Sequence, residues 1–481
     1  MINLTQIGQK ISHFFSETAE CMSRASKFVQ RKSKMTGPLF VKTVVFGWAS
    51  NPRATLDNLA EVADDLGVEI TGEGINNRMN DRAVTLLKKQ FNESMKLFKN
   101  DLQIDIEILK QFDAVELIDS STVALPKSML KHYQGCGGSG PDAAMKFQLT
   151  FNLLTNNIRY ISLEHGRSAD QGYSKDLEDL KANVLRISDL GYFKMPRFAT
   201  IADQKAYFLS RFNYQTALYS LEGNRVNLLE WLKNESTDLV ENWFLIGQGT
   251  KLKCRLVARR LPQKIADKRR AKAKKKAKNR GKKACPINLA LMSWCIFITN
   301  VPENRLSASQ ICDLYPVRWQ IELIFKLWKS ECALDRVAGK RRERVLCEIY
   351  AKLIGIVIFN FLVGPHRING DIELSMIKTH RTFSRRALRL AESLSNIERL
   401  VAVLSKIIHN FFKFGRKNKR VKSPSTLNLL AREILASPKT RRNDQAENKV
   451  NPPVIKSNFN HKMLLDEKSE KNVISDYIFV L

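Results

Sequence analysis

Apolar residues recur at helical spacing between positions 54 and 66, where Leu56, Leu59, Ala60, Val62, Ala63 and Leu66 share one face. Gly67 ends that pattern, as a glycine just past a helix does. Val68 and Ile70 follow, and a polar segment over 71–80 then brings Asn76, Asn77 and Arg78. Helix, glycine turn and second helix make a helix-turn-helix candidate whose second helix could read base edges. A plain packing hairpin has the same pattern. Residues 1–105 as a whole read as helical.

From Phe112 the period changes. Residues 114–118 read as a short buried strand ending in Asp119. Alternating runs over 145–154 and 158–163, separated by Thr155-Asn156-Asn157, predict a hairpin. A helix is expected over 176–182, a second buried strand over 184–187 leading to Ser188 and Asp189, a helix over 196–205 and a strand over 207–212. Strands followed by helices imply a mixed α/β sheet covered by helices. Residues 214–300 again read as strand-rich, most clearly at 252–261 and 294–299. After Leu306 the pattern is helical through Phe414. Its most apolar stretch, 349–363, contains Lys352 and is too short to span a bilayer, so it reads as a buried helix and no membrane segment is expected. The stretch 437–451 lacks periodicity, and a flexible tail is expected over 437–481.

Charge changes the picture. The 481 residues hold 79 Lys and Arg against 48 Asp and Glu, a formal net charge of +31. Such an excess implies an anionic partner, most commonly nucleic acid. Residues 263–284 alone hold twelve Lys and Arg and one Asp, and this local +11 leaves +20 of the +31 elsewhere. The Ala, Lys and Arg content of that run favours a helix once phosphates neutralise its repulsion, and a DNA-backbone contact is expected there rather than a solvated loop. The eight cysteines form no C-x-x-C pair and keep no zinc-ligand spacing to histidine. They fit reduced thiols, and the N-terminus lacks the apolar core of a signal peptide, so a cytoplasmic protein is expected.

Three acids stand out by position. Asp119 and Asp189 each follow a buried strand, where functional groups collect in α/β sheets, although such acids also cap turns. The third lies in Tyr315-Pro-Val-Arg318-Trp-Gln-Ile-Glu322-Leu-Ile-Phe-Lys326-Leu-Trp-Lys329. At about 100° per residue, Glu322, Lys326 and Lys329 fall within about 80° of Arg318, and Tyr315 within about 60°. A solvated stripe of ion pairs would look similar. Here Ile321, Ile324, Phe325 and Trp328 flank the stripe and leave it little open surface. A half-buried acid among cations suits a metal and phosphate site. Phosphodiester cleavage needs an activated water or 3′-hydroxyl and charge neutralisation at phosphorus, which two Mg²⁺ ions held by carboxylates supply.

The spacing of Tyr315, Arg318, Glu322 and Lys329, with gaps of two, three and six residues, resembles the Y-R-E-K signature of a bacterial transposase branch. This is the family-four insertion-sequence group of DDE transposases. Asp119-Ser-Ser-Thr122 and Asp189-Leu-Gly-Tyr-Phe193 resemble its two earlier acidic motifs. The resemblance covers roughly 114–331 and implies a ribonuclease-H-like catalytic core interrupted by a β-rich insertion. An N-terminal helical domain and a helical C-terminal region flank that core. The expected layout is a DNA-binding domain at 1–105, the first part of the core at 106–213, the insertion with its basic segment at 214–304, completion of the core at 305–340, a helical region at 341–436 and the tail. The resemblance further implies Asp119, Asp189 and Glu322 as catalytic residues and ligands of two Mg²⁺ ions, with Mn²⁺ as a substitute. Tyr315, Arg318 and Lys329 would contact phosphates, with Lys326 nearby, and Trp294 is the candidate to stack on a flipped base. The implied partners are double-stranded DNA, as terminal inverted repeats and as target, and a second protomer in a synaptic homodimer. The implied reaction is cleavage at the element ends through a DNA hairpin, followed by strand transfer. The alternatives are a non-catalytic DNA-binding regulator derived from such an enzyme, against which the intact acids argue, and an RNA-binding protein, suggested by charge alone.

Overall fold

The computed structural model describes residues 3–31, 33–104, 106–369 and 372–418. The expected tail at 437–481 lies outside them.

The N-terminal segment forms six α-helices, α1 (Leu4–His13), α2 (Ala19–Ala25), α3 (Gly37–Ser50), α4 (Leu56–Asp65), α5 (Gly72–Arg78) and α6 (Asp81–Leu97), with a π-helical stretch, Phe14–Thr18, joining the first two. Thr55 opens α4 with a capping box to Asn58. Gly67 closes it at φ +84°, a left-handed conformation that suits glycine, and the Val68 N–H returns to the Ala63 carbonyl. The expected pair of helices is therefore present. Its second member is tied down at its C-terminal end. Arg341 donates to the carbonyls of Asn76 and Met79, and Arg78 donates to the Met35 carbonyl and to Ser33. Of the three polar residues singled out there, Asn77 is the one that stays exposed.

The centre is one nine-stranded sheet. Its strands are β1 (Ala114–Leu125), β2 (Ala143–Asn152), β3 (Asn157–His165), β4 (Val184–Ser188), β5 (Tyr207–Arg211), β6 (Leu218–Tyr219), β7 (Leu239–Ile246), β8 (Leu252–Arg260) and β9 (Trp294–Thr299). Their order is β3-β2-β1-β4-β5-β9-β8-β7-β6. The pairs β1–β4 and β4–β5 are parallel and the rest antiparallel. Helix α7 (Met195–Asp203) links β4 to β5.

Three expectations change. Strand β1 does not end at Asp119. Ser120, Ser121 and Thr122 continue it, paired with Gln148, Phe147 and Lys146 of β2. The helix expected over 176–182 is only a short 3-10 turn, Lys175–Leu177. There Asp176 is buried in a charge cluster with Arg186 and Arg197, and that tertiary contact overrides local helix preference. The segment 214–304 holds as much helix as strand, with α8 (Leu228–Asn234), α9 (Gln263–Lys278) and α10 (Pro286–Leu291). Its strands do not build a separate sheet: β9 pairs with β5 and carries β8, β7 and β6 outward on the same sheet.

Side-chain alternation splits the sheet into two buried faces. Val115, Leu117, Leu185, Ile187, Leu209 and Phe297 face the larger core. Val184, Phe208, Leu256, Ile296 and Ile298 face a second core built with α7 and α8. The larger core is closed by α11 (Ala308–Leu314), α12 (Trp319–Ser330) and α13 (Arg342–Val363). Every residue of α13 from Val345 to Val363 is buried. It is long and apolar enough to cross a bilayer, and here it forms the hub between the N-terminal helices and the sheet. Its Lys352 donates to Glu348 at 2.7 Å and to the Ala333 carbonyl, so the buried charge is paired. Beyond it come a two-stranded ribbon, β10 (Ile368–Asn369) and β11 (Ile372–Glu373), and helices α14 (Met376–Ser384), α15 (Ala387–Ser393) and α16 (Ile397–Phe414).

Candidate active site

Strand register places the first two acids. On β1, Val115, Leu117 and Asp119 point to one face; on β4, Leu185 and Ile187 point to the same face and Asp189 follows in phase. Leu117 pairs with Ile187 in parallel. Two residues further along each strand, Asp119 and Asp189 therefore stand side by side, about one strand spacing of 4.8 Å apart at the backbone. The same logic adds a residue that motif reading missed. Ser188 pairs with Ser210 of β5, so Arg211 lies beside Asp189 on that face. Its signal was present: Leu209-x-Arg211 repeats the phase of Ile187-x-Asp189.

Helix α12 covers this face. Ile321, Ile324, Phe325 and Trp328 bury it against the core and turn Arg318 and Glu322 toward the strands. Arg318 joins the acids. One nitrogen donates to Asp119 at 3.3 Å and another to Glu322 at 2.5 Å. Its remaining Nε is buried without a hydrogen-bond partner. Asp119 is 17% exposed and Glu322 31%, so both can still be reached from outside. Asp119 also accepts from the Ser120 N–H at 2.8 Å, and Asp189 accepts from the Gly191 N–H at 2.8 Å, which caps the turn Leu190–Tyr192.

Burial pushes the Asp119 carboxyl up to about 7, against the pull of Arg318 and with the help of the negative charges of Asp189 and Glu322. Burial, more than the neighbouring acids, sets this shift, and Arg318 offsets only part of it. Among the described residues no three His, Cys, Asp or Glu side chains close tightly enough on one point to hold a metal ion as they stand. The donor chemistry nevertheless fits a hard divalent cation, since Asp119, Asp189 and Glu322 bring carboxylate oxygens to one face of the sheet.

The other expected site residues divide. Lys326 is exposed, one turn along α12 from Glu322. Lys329 turns in and donates to the Thr122 carbonyl at 3.0 Å, tying α12 to β1. Tyr315 is 1% exposed and does not share the open cationic face. Pro316 sits in a 3-10 turn, Tyr315–Arg318, that points the phenol under the helix. There its hydroxyl donates to the Ser188 carbonyl at 3.3 Å and its ring packs on Phe297. Tyr315 thereby holds the residue just before Asp189. Trp294 is 4% exposed, belongs to the second core and has the Arg260 guanidinium 4.5 Å over its ring. In this conformation it is a core aromatic with no face open to a base.

Known proteins share this domain. A family model described as "Transposase DDE domain" matches residues 110–358, just over half of the 481. The transposase for insertion sequence element IS1151 of Clostridium perfringens is 27% identical over 438 residues, covering 85% of this chain and 92% of that protein. The transposase for IS231F of Bacillus thuringiensis subsp. israelensis is 25% identical over 443 residues, covering 86% and 92%. A piggyBac transposase synaptic complex with hairpin DNA aligns with a TM-score of 0.43 at 11% identity, covering 87% of this chain and 86% of that one, too distant to bear on fold or function. The matched segment runs from before β1 into α13 and takes in all three acids, and on that match the chain belongs to the transposase DDE-domain family.

Proposed function

We propose that this chain is the transposase of an insertion sequence. It cuts DNA at the ends of its element through a hairpin intermediate and joins the freed ends to target DNA, working as a homodimer that pairs two ends. The core that does this is ribonuclease-H-like: strands β3-β2-β1-β4-β5 with α12 laid over them, extended on the β5 side by the inserted strands. The observation that carries the reading is the parallel Leu117–Ile187 register, which sets Asp119 beside Asp189 beneath Arg318 and Glu322.

Asp119, Asp189 and Glu322 would hold two Mg²⁺ ions, or Mn²⁺ in their place. When bound, these supply an activated water or 3′-hydroxyl and charge neutralisation at phosphorus. The chain's own groups do the rest. Arg318 keeps Asp119 and Glu322 together before DNA arrives, and its unpartnered Nε is a donor for a phosphate oxygen. Arg211 and Lys326 place further cations at the rim of the face, which fix the backbone without reading sequence. Lys329 and Tyr315 act from behind, one holding α12 to β1 and the other holding the Ser188 carbonyl. Trp294 could stack on a flipped base only after Arg260 and the neighbouring core release its ring.

The test is end cleavage in Mg²⁺ by Asp119→Asn, Asp189→Asn and Glu322→Gln. Each variant should bind a duplex carrying the element's terminal repeat and fail to cut it. Normal cutting by the Glu322 variant would sink the assignment. In the genome, short inverted repeats flanking the coding region, bounded by a small direct duplication, are expected.

A further inference from the structure

Helix α9 has a face that the acid site does not use. Of its sixteen residues, Ala266 is the one that is buried. Two arginines pin its first half: Arg269 donates to the Trp294 carbonyl at 3.4 Å, and Arg270 donates to the Leu289 carbonyl at 3.1 Å and to the Ser293 hydroxyl. Ala273 and Ala277 continue this half-buried stripe. Lys274, Lys275, Lys276 and Lys278 therefore project outward, all exposed. Cations four apart on a helix, such as Lys274 and Lys278, repel each other. Asp267 is the sole acid between 263 and 284, and it is paired with Arg270 on the near half. A helix held out against its own repulsion gains most from a polyanion.

Its placement narrows the partner. The two arginine anchors fasten α9 to the segment entering β9, and β9 pairs with β5, whose last residue is Arg211. Arg269 and Arg211 lie close enough to influence each other, and Arg211 in turn acts on Tyr315 beneath the acids. Arg211 thus lies between the acid face and the root of the arm, on the flank of the sheet from which α9 projects. A helix of this length spans about 24 Å. Duplex DNA presents a negative charge about every 1.7 Å along its axis, a linear array that an arm of lysines matches and a small anion does not.

We propose that α9 is a clamp for the phosphate backbone of the element-end duplex, gripping it beside the phosphodiester held at the acid face. The ligand is double-stranded DNA recognised by charge and without regard to sequence. The inference rests on the function proposed above and adds the surface that holds the substrate. The variant Lys274→Gln, Lys275→Gln, Lys276→Gln, Lys278→Gln, in the full-length protein, tests it. Glutamine keeps helix propensity close to that of lysine, so the fold is retained. Binding of an element-end duplex is followed across a salt series. The log-affinity slope should become shallower by roughly 3 to 4, at about 0.9 for each phosphate that is no longer neutralised, and affinity at low salt should fall roughly tenfold or more. Cleavage at saturating DNA should be unchanged. Arginine at the same four positions should restore the slope. An unchanged slope overturns the clamp, and so does a weakening confined to target duplex or to RNA. The two readings fail separately: an Asp119→Asn protein that binds with full slope and does not cut supports both, whereas a wild type that binds with that slope and never cuts sinks the enzyme alone.

Discussion

The acid face and the basic arm handle charge in opposite ways. At the acid face, Asp119 and Glu322 lie between a strand and a helix and are held together by the buried Arg318. On α9, a row of lysines stands in water with one acid on the whole helix. Buried charge is expensive and therefore precise in position; exposed charge is cheap and therefore adaptable. A phosphoryl-transfer centre needs the first property and a grip on a long, uniform backbone needs the second.

The largest expected effect separates the two regions outright. Glu322→Gln or Asp189→Asn should lower end cleavage by at least about a thousandfold while leaving the salt dependence of binding as it is, read by single-turnover cutting and by titration. A parallel loss of binding would mean that the acids shape the DNA surface as well. Next comes the junction between the regions. Trp294→Ala should destabilise the protein by roughly 3–5 kcal/mol in denaturant unfolding, as removal of a buried aromatic does. If cleavage fell with stability unchanged, the ring would be a base platform and not a core residue.

The third prediction concerns pH. Asp119 titrates near 7 in the fold and near 3.8 when unfolded. A raised carboxyl is easily kept neutral below the unfolded value, and its burial cost appears as pH rises from about 4 to about 7. In chelator, the wild type should therefore lose stability across that window. Asp119→Asn should not, and should end roughly 1–3 kcal/mol more stable than wild type at about pH 8. A wild type that gains stability over this range would show that Arg318 outweighs burial. The smallest effect is that of Tyr315→Phe, which removes one donor to the Ser188 carbonyl and should cost about 1 kcal/mol. The cutting rate should drop several-fold with DNA affinity unchanged, because the hydroxyl holds the approach to Asp189 and does not touch phosphate.

Asp119 and Asp189 were legible as acids following short apolar strand runs, and gained weight from the order of the three motifs in which they stand. Glu322 was legible because α12 has an apolar flank that leaves one stripe for charge. What was hidden is non-local. The polar run Ser120-Ser121-Thr122 looks like a strand end until its partners on β2 are known. Arg211 gains meaning only from its alignment with Asp189 across two strands. Tyr315 fits the cationic face on an ideal helix, and one proline turns it inward. The pairing of β9 with β5, which makes the inserted strands part of the same sheet, depends on residues far apart in the chain, and no local pattern announces it.

The parallel pairing of β1 with β4 also acts as a safety catch. A slip of one residue would send either aspartate to the opposite side of the sheet, so the acid face exists only in one register. That register joins strands separated by the whole β2–β3 hairpin, and the third acid is synthesised long after both. Contacts so distant form late in folding. A nascent or misfolded copy can therefore bear every lysine of the arm and still lack the assembled acid face.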